Sequence, residues 1–264
     1  MGRRIRRDRS GVPGAPLHAR RGEGRVRVGL LSDIHANLVA LEAVLASLGK
    51  VDALWVTGDT VGYGPDPGDT LALLRERGAL LVQGNHDRAV ATGEGLEFFH
   101  DRAAEAALLH QKWLSSEDRD ALAALPTVAT ADRFTLCHGS LRDPLWEYVT
   151  TTRAATATLQ LAETDHCCNG HTHIPAFFHL TATGAKASHV AEGTAYGLEE
   201  RTLVNAGSVG QPRDGDPRAA YAVLDTDART VTFYRSPYQV AETQRRIHAR
   251  GLPEMFADRL AFGV

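Results

Sequence analysis

A layered α/β arrangement is what this sequence predicts, and three observations carry it. Strand and helix patterns alternate as β-α-β-α-β as far as Gly84. Six strand-like segments then follow Pro126. No internal repeat and no linker divides the chain into independent units.

The elements follow in order. "VRVGLLS", Val26 to Ser32, is an aliphatic run with the composition of a buried strand. In the next segment Asn37 can cap a helix, and Leu38, Leu41, Leu45 and Leu48 form one apolar stripe that Gly49 stops. "ALWVTG" reads as a second strand, leading into the Gly/Pro-punctuated loop "DTVGYGPDPGD". A short helix from Thr70 to Arg77 and a third strand, "ALLVQG", complete the alternation. Residues 96–125 read as two helices split near "SSED", with Ser115 or Ser116 capping the second. The later strands are "RFTLCHG", "DHCCNG", "AFFHLT", "TLVNAG", "AAYAVLD" and "TVTFYRS", and a helix from Gln239 to Ala249 closes the pattern. Thr181 to Arg201 is the expected variable loop or hairpin.

Composition narrows the function. A chain of 264 residues, 43% hydrophobic, suits one large domain. No apolar stretch approaches the ~20 residues of a membrane helix. A formal charge of -3 argues against a surface that coats nucleic acid and leaves small anionic substrates open. Cys137, Cys167 and Cys168 form no disulfide framework, and they fit a reducing, cytoplasmic setting. Inside strand patterns they are expected to be small buried hydrophobes rather than ligands. Residues 1–24 are rich in Arg, Gly and Pro, with no apolar segment after the arginines. The expectation is a basic, disordered extension ahead of a domain spanning 25–264.

Polar residues gather where the strands stop. "SDIHAN" brings Asp33 and His35, "GDTVGYGP" brings Asp59, and "GNHD" brings Asn85, His86 and Asp87. "CHGS" brings His138, and "GHTH" brings His171 and His173. Alternation along an extended backbone would point each H-x-H or D-x-H pair one way. Two carboxylates, four imidazoles and one amide oxygen suit divalent transition metals better than Ca²⁺ or Mg²⁺. Seven ligands exceed what one ion takes from protein, so a carboxylate shared between two ions is the economical arrangement. Gly58, Gly84, Gly139 and Gly170 beside the ligands leave room for tight turns and an anion.

The ordered set D-x-H, G-D, G-N-H-D, H-G and G-H-x-H resembles the calcineurin-like metallophosphoesterase superfamily. The wording "SDIHANLVALEAVL", "GDTVGYGPDP" and "NAGSVGQPRDGD" is most similar to its small bacterial, phosphodiesterase-type branch. The resemblance implies a four-layer αββα fold, a central β-sandwich flanked by helices with a dinuclear metal site at the strand ends. It implies one ion held by Asp33, His35, Asp59 and His173. A second would be held by Asp59, Asn85, His138 and His171, with Asp59 bridging. Manganese is the foremost expectation, with Fe, Co, Ni or Zn as alternatives.

His86 would face the leaving oxygen as a catalytic acid, with Asp87 orienting its ring. Two cations would activate a water as hydroxide for in-line attack on a phosphoester. Arg213 could reach a substrate phosphate or pair with Asp214 or Asp216, and Tyr63 could stack on a base or simply pack. His100, His110, His166, His179 and His189 match no motif and are expected to be surface or structural.

The expected substrate is a small phosphodiester or nucleotide-type phosphoester, with no membrane or nucleic-acid partner. The loop after Asp59 lacks the arginine of the "G-D-x-x-D-R-G" pattern found in serine/threonine phosphoprotein phosphatases, which lowers a phosphomonoesterase reading. Dinucleoside polyphosphates remain open as substrates. A non-catalytic scaffold is the rival, and it would be expected to have lost ligands that this chain keeps.

Overall fold

Residues 26–264 are described by a computed structural model, and the arginine-rich arm expected to be disordered lies outside them. The strands are β1 (Arg27–Leu31), β2 (Ala53–Val56), β3 (Leu80–Leu81), β4 (Val128–Ala131), β5 (Phe134–Cys137) and β6 (His166–Asn169). They continue as β7 (Ala176–Thr181), β8 (Gly184–Ser188), β9 (Ala195–Gly197), β10 (Thr202–Asn205), β11 (Ala219–Asp225) and β12 (Thr230–Ser236). The helices are α1 (Leu38–Leu48), α2 (Pro67–Glu76), α3 (Asn85–Thr92) and α4 (Asp101–Trp113). Then come α5 (Ser116–Ala123), α6 (Thr152–Leu161), α7 (Val240–Ala249) and α8 (Met255–Asp258).

Two six-stranded mixed sheets form, in the orders β3-β2-β1-β11-β12-β9 and β4-β5-β6-β10-β7-β8. Strands β3, β2 and β1 run parallel in the first, as do β5, β6 and β10 in the second. Parallel neighbours deliver their C-terminal ends to one edge of a sheet, which is where functional loops collect.

Alternation builds the layers. Val28, Leu30 and Trp55 face Phe134, Leu136, Cys168 and Val204 across the space between the sheets. On the outer face of the first sheet Leu31, Leu54 and Val56 meet Leu41, Val44 and Leu48 of α1. Cys168 points into the inter-sheet core while its neighbour Cys167 packs with Ala155 and Leu159 of α6 outside the second sheet. Strands buried on both faces read as continuous apolar runs for this reason. Helix, sheet, sheet, helix is therefore the observed order of layers.

Local departures from the sequence expectation have physical causes. Helix α2 starts at Pro67, ahead of Thr70, because proline at the first helical position loses no needed N–H. The third strand shrinks to two residues. Helix α3 occupies the "GNHD" motif itself, and α6 arises from a Thr/Ala-rich stretch behind the cap Thr151, whose side chain accepts from Ala154 N–H. The stretch expected as a variable loop or hairpin supplies β8, paired antiparallel with β7, and β9, paired with β12. Asn37 caps α1 as expected, with its oxygen 3.2 Å from Ala40 N, and Ser115 caps α5. Among the described residues no helix is long and apolar enough to cross a membrane.

Candidate metal centre and substrate cavity

Five strands converge on one edge and bring the expected residues with them. Asp33 and His35 follow β1, Asp59 follows β2, His138 follows β5 directly, and His171 and His173 follow β6. Asn85 opens α3 after β3. Each of these seven residues is buried.

The pairs do not converge by strand alternation, which corrects the expectation for "GHTH" and "SDIH". Five of the seven residues have left-handed backbone: φ is 51° at Asp33, 49° at His35, 53° at Asp59, 68° at His171 and 60° at His173. Such a conformation costs a non-glycine residue about 1–3 kcal/mol and persists only where surroundings enforce it. Here loops lock one another: Asp33 N donates to Gly58 O at 3.1 Å, His35 N to Asp59 O at 2.9 Å and Ala36 N to Thr60 O at 2.9 Å. Gly84 permits the close approach, since a Cβ there would lie 2.1 Å from Asp59 Oδ1.

Two groups of candidate ligands result. Asp33, His35, Asp59 and His173 place ligand atoms within 4.8 Å of one another, and so do Asp59, His138 and His171. Asn85 joins the second group with Oδ1 3.1 Å from His138 Nε2. Asp59 belongs to both: its Oδ2 lies 3.6 Å from His35 Nε2 and 3.2 Å from His138 Nε2.

Every one of the four imidazoles commits one nitrogen to a backbone carbonyl. Nδ1 contacts the carbonyl oxygen of Val61 from His35 (3.0 Å), of Thr57 from His138 (2.9 Å) and of Gln211 from His173 (2.6 Å). His171 uses Nε2, 3.2 Å from Trp146 O. A carbonyl can only accept, so these nitrogens carry the proton and the other ring nitrogen of each neutral ring presents a lone pair. The free nitrogens face each other: His35 Nε2 and His173 Nε2 are 3.1 Å apart, His138 Nε2 and His171 Nδ1 3.0 Å. Lone pairs at that distance repel unless a cation stands between them. Between His138 and His171 the proton that Asp59 and Asp33 hold on His138 serves without metal. The neutral rings of His35 and His173 have none. The donor set thus fits divalent metal ions, and the carbonyls supply the outer contacts that orient metal-binding imidazoles.

The charges agree. Burial pushes the carboxyl of Asp33 up to about 7, and Asp59 adds to this while His138 opposes it. Burial would also raise Asp59, but the charge and hydrogen bond of His138, with His86 and His35, hold it well below the usual carboxylate range. Among the described residues neither Asp33 nor Asp59 makes an ion pair with Lys or Arg. Buried carboxylates of this kind call for a cation partner. The three cysteines are buried free thiols, pushed up by burial, and belong to neither group.

The groups open on a cavity of about 160 Å³ lined by Asp59, Asn85, His86, His171, His173 and Arg213. His86 is sandwiched between Tyr63 and Phe99, with ring centroids 4.4 and 4.3 Å away, and its Nδ1 is buried without a partner. Burial, reinforced by Arg213 and opposed by Asp59, lowers it to about 4, so the free ring is neutral.

Asp87 does not orient this ring. Its Oδ1 accepts from Val61 N–H at 3.1 Å and its Oδ2 from Gly84 N–H at 2.9 Å, so it closes the start of α3 onto the Asp59 loop. Arg213 is free of its neighbours, because Asp214 pairs with Arg235 and Asp216 with Arg218. It lies 5.8 Å over the Tyr63 ring, bonds Gln211 Oε1, and has a buried Nε without a partner. Tyr63 is packed rather than available for stacking: it is 7% exposed and covered by His35, His86 and Phe256.

Sequence reasoning missed the rim of the cavity. Phe98, Phe99, His100, Trp146 and Tyr148 line it. In a chain only 6% aromatic, "LEFFH" and "LWEYV" each hold two aromatics, which is the signal that was available. His110 is structural, as expected, and its partners are specific. Its Nδ1 accepts from Gly62 N–H at 3.1 Å and its Nε2 donates to Gly64 O at 2.8 Å, pinning the loop after Asp59. Replacing His110 with Phe leaves two buried backbone groups unpaired. A loss of about 1–3 kcal/mol in denaturant-unfolding stability is expected. An unchanged midpoint would remove the pinning role.

Comparison with known proteins agrees with this geometry. A crystal structure of a metallophosphoesterase from Sphaerobacter thermophilus is 39% identical, with a TM-score of 0.84, covering 91% of this chain and all of that one. A Methanocaldococcus jannaschii protein described only as uncharacterized is 32% identical over 89% of this chain and 98% of its own. A symmetrical bis(5'-nucleosyl)-tetraphosphatase of Pectobacterium carotovorum is 43% identical over 63 residues, 22% of either chain. The family model for the calcineurin-like phosphoesterase superfamily domain matches residues 26–229. With that match over most of its length, the chain belongs to the calcineurin-like phosphoesterase superfamily.

Proposed function

We propose that this protein is a dinuclear metal-dependent phosphodiesterase acting on small phosphodiesters or nucleotide-type phosphoesters. The observation that carries the reading is the sharing of Asp59 between two groups of inward-facing lone pairs beside one cavity. Asp33, His35, Asp59 and His173 hold one ion, and Asp59, Asn85, His138 and His171 hold the other. When bound, the ions supply an activated water and offset the charge of the phosphoryl oxygens. Manganese is the favoured metal.

The chain's own residues do the rest. Arg213, on the cavity wall with a buried unpartnered Nε, takes a non-reacting phosphoryl oxygen. His86 faces the leaving oxygen. Neutral in the free protein, it gains a proton when the negative phosphoester arrives beside it, because a nearby anion favours the charged ring. It then passes that proton to the departing alkoxide. Asp87 acts on this step indirectly, by fixing the start of α3 on which His86 sits. The short resemblance to a bis(5'-nucleosyl)-tetraphosphatase supports nucleotide-type esters within this class.

The test is turnover of bis(p-nitrophenyl) phosphate beside p-nitrophenyl phosphate, with Mn²⁺ added. The diester is expected to react faster. His86→Ala is expected to lose about 10²–10⁴ of the rate on an alkyl diester such as thymidylyl-3',5'-thymidine, whose alkoxide needs the proton, and less on the nitrophenyl ester, while still binding metal. No turnover with Mn²⁺, Fe²⁺, Co²⁺, Ni²⁺ or Zn²⁺ would overturn the reading.

A further inference from the structure

The mouth of the cavity is built from aromatic rings that the chemistry above leaves unused. Phe98 is 69% exposed and Tyr148 51% exposed, both beside a polar, charged floor. Large apolar side chains left in water at a site edge mark a contact surface.

These rings are held in place. Trp146 meets Phe98 edge-on at 5.2 Å and Phe99 at 5.7 Å. Its backbone N–H donates to Asp143 Oδ1 at 3.1 Å, and its carbonyl accepts from His171 Nε2 at 3.2 Å. Gly95 makes room for the indole, since a Cβ there would sit 2.5 Å from Trp146 Cζ2. Tyr148 stacks on His171 at 3.9 Å and 15°. The aromatic rim is thus tied through His171 to the candidate metal centre.

We propose that Phe98 and Trp146 form a stacking platform for a nucleobase, so that the substrate is a nucleoside phosphoester. This rests on the phosphoesterase reading. The cavity of about 160 Å³ is lined both by the candidate ligands and Arg213 and by the rings of Phe98, Trp146 and Tyr148. A phosphoryl group at the candidate ligands therefore leaves the rest of a substrate within reach of these exposed rings. A nucleotide fits that order of parts: anionic phosphate on the floor with Arg213, sugar in the opening, planar base against the rim. Tyr63, which also lines the cavity, has its ring covered by His35, His86 and Phe256.

The experiment compares thymidine 5'-(p-nitrophenyl phosphate) with methyl p-nitrophenyl phosphate, using the full chain with Mn²⁺. The leaving group is identical, so the ratio of the two kcat/KM values reports the nucleoside alone. The wild type is expected to favour the thymidine ester, chiefly through KM. Phe98→Ala is expected to lower that ratio about tenfold and Phe98→Trp to restore it, as loss and return of one base stack should. Equal kcat/KM for the two esters in the wild type, or a ratio that Phe98→Ala leaves unmoved, would overturn the inference. If neither ester reacts, it is the phosphoesterase reading that falls. The platform is then judged by quenching of tryptophan fluorescence by thymidine 5'-monophosphate. Weaker binding to Phe98→Ala sustains it, and equal binding overturns it.

Discussion

Replacing Asp59 with asparagine is expected to disturb both ion positions at once. Oδ2 of this residue stands 3.6 Å from His35 Nε2 and 3.2 Å from His138 Nε2, and among the described residues no other side chain belongs to both groups. Elemental analysis of wild type purified without chelators should find about two transition-metal ions per chain, and the variant far fewer. The fold should survive, because asparagine keeps a carbonyl oxygen for the His86 N–H that donates to Asp59 Oδ1 at 2.9 Å. Activity should fall by more than the ~10–100-fold typical of losing an outer-shell contact, since a direct ligand to both ions is gone.

Asp33→Asn is the informative companion. Asp33 belongs to one group only. It should leave the His138 and His171 position occupied and lower the metal content toward one ion. If Asp59→Asn keeps two ions, the bridge is wrong. Wild-type protein that holds no metal and gains no activity from Mn²⁺ would move the balance to the binding scaffold.

The candidate ligand cluster was legible because each residue follows a strand within a few residues, and strand runs survive in sequence as continuous aliphatic stretches. How they converge was not legible. The left-handed turns at Asp33, His35 and Asp59 are enforced by hydrogen bonds between loops about 25 residues apart, as in Asp33 N to Gly58 O. Helix α3 was hidden because it is short and its capping residue, Gly84, has no side chain to announce it. Asp87 looked like an orienting partner for His86 by adjacency, yet adjacent residues on a helix do not face each other. Arg213 could not be assigned while Asp214 and Asp216 were open as partners. Only the fold gives those carboxylates to Arg235 and Arg218. The aromatic rim joins Phe98 to Trp146 across a long interval with no shared periodicity, which no local pattern records.

Thermal stability should depend on metal, and the size of the effect can be bounded. Without cations the site keeps two pairs of imidazoles about 3 Å apart and two buried carboxylates with no Lys or Arg partner among the described residues. Ions that bind the folded chain and not the unfolded one stabilise it by about 2.7 kcal/mol each at a hundred times their Kd. For a chain of this size each kcal/mol moves Tm by about 2–4 °C, so each ion should raise Tm by roughly 5–10 °C. Melting curves before chelation, after it and after adding back Mn²⁺ measure this directly. The rise should also grow with pH. Asp33, pushed up to about 7 by burial and by Asp59, holds a proton over part of the neutral range. His138 holds one too, because Asp59 and Asp33 raise it to about 9 against the opposing effect of burial. Both protons must leave before an ion can bind, so ion affinity increases as pH rises. A larger Mn²⁺-induced shift at pH 8 than at pH 6 is therefore expected, with Asp59→Asn showing little shift at either. A shift that is absent, or that shrinks as pH rises, would mean that these carboxylates and imidazoles are not the groups the metal engages.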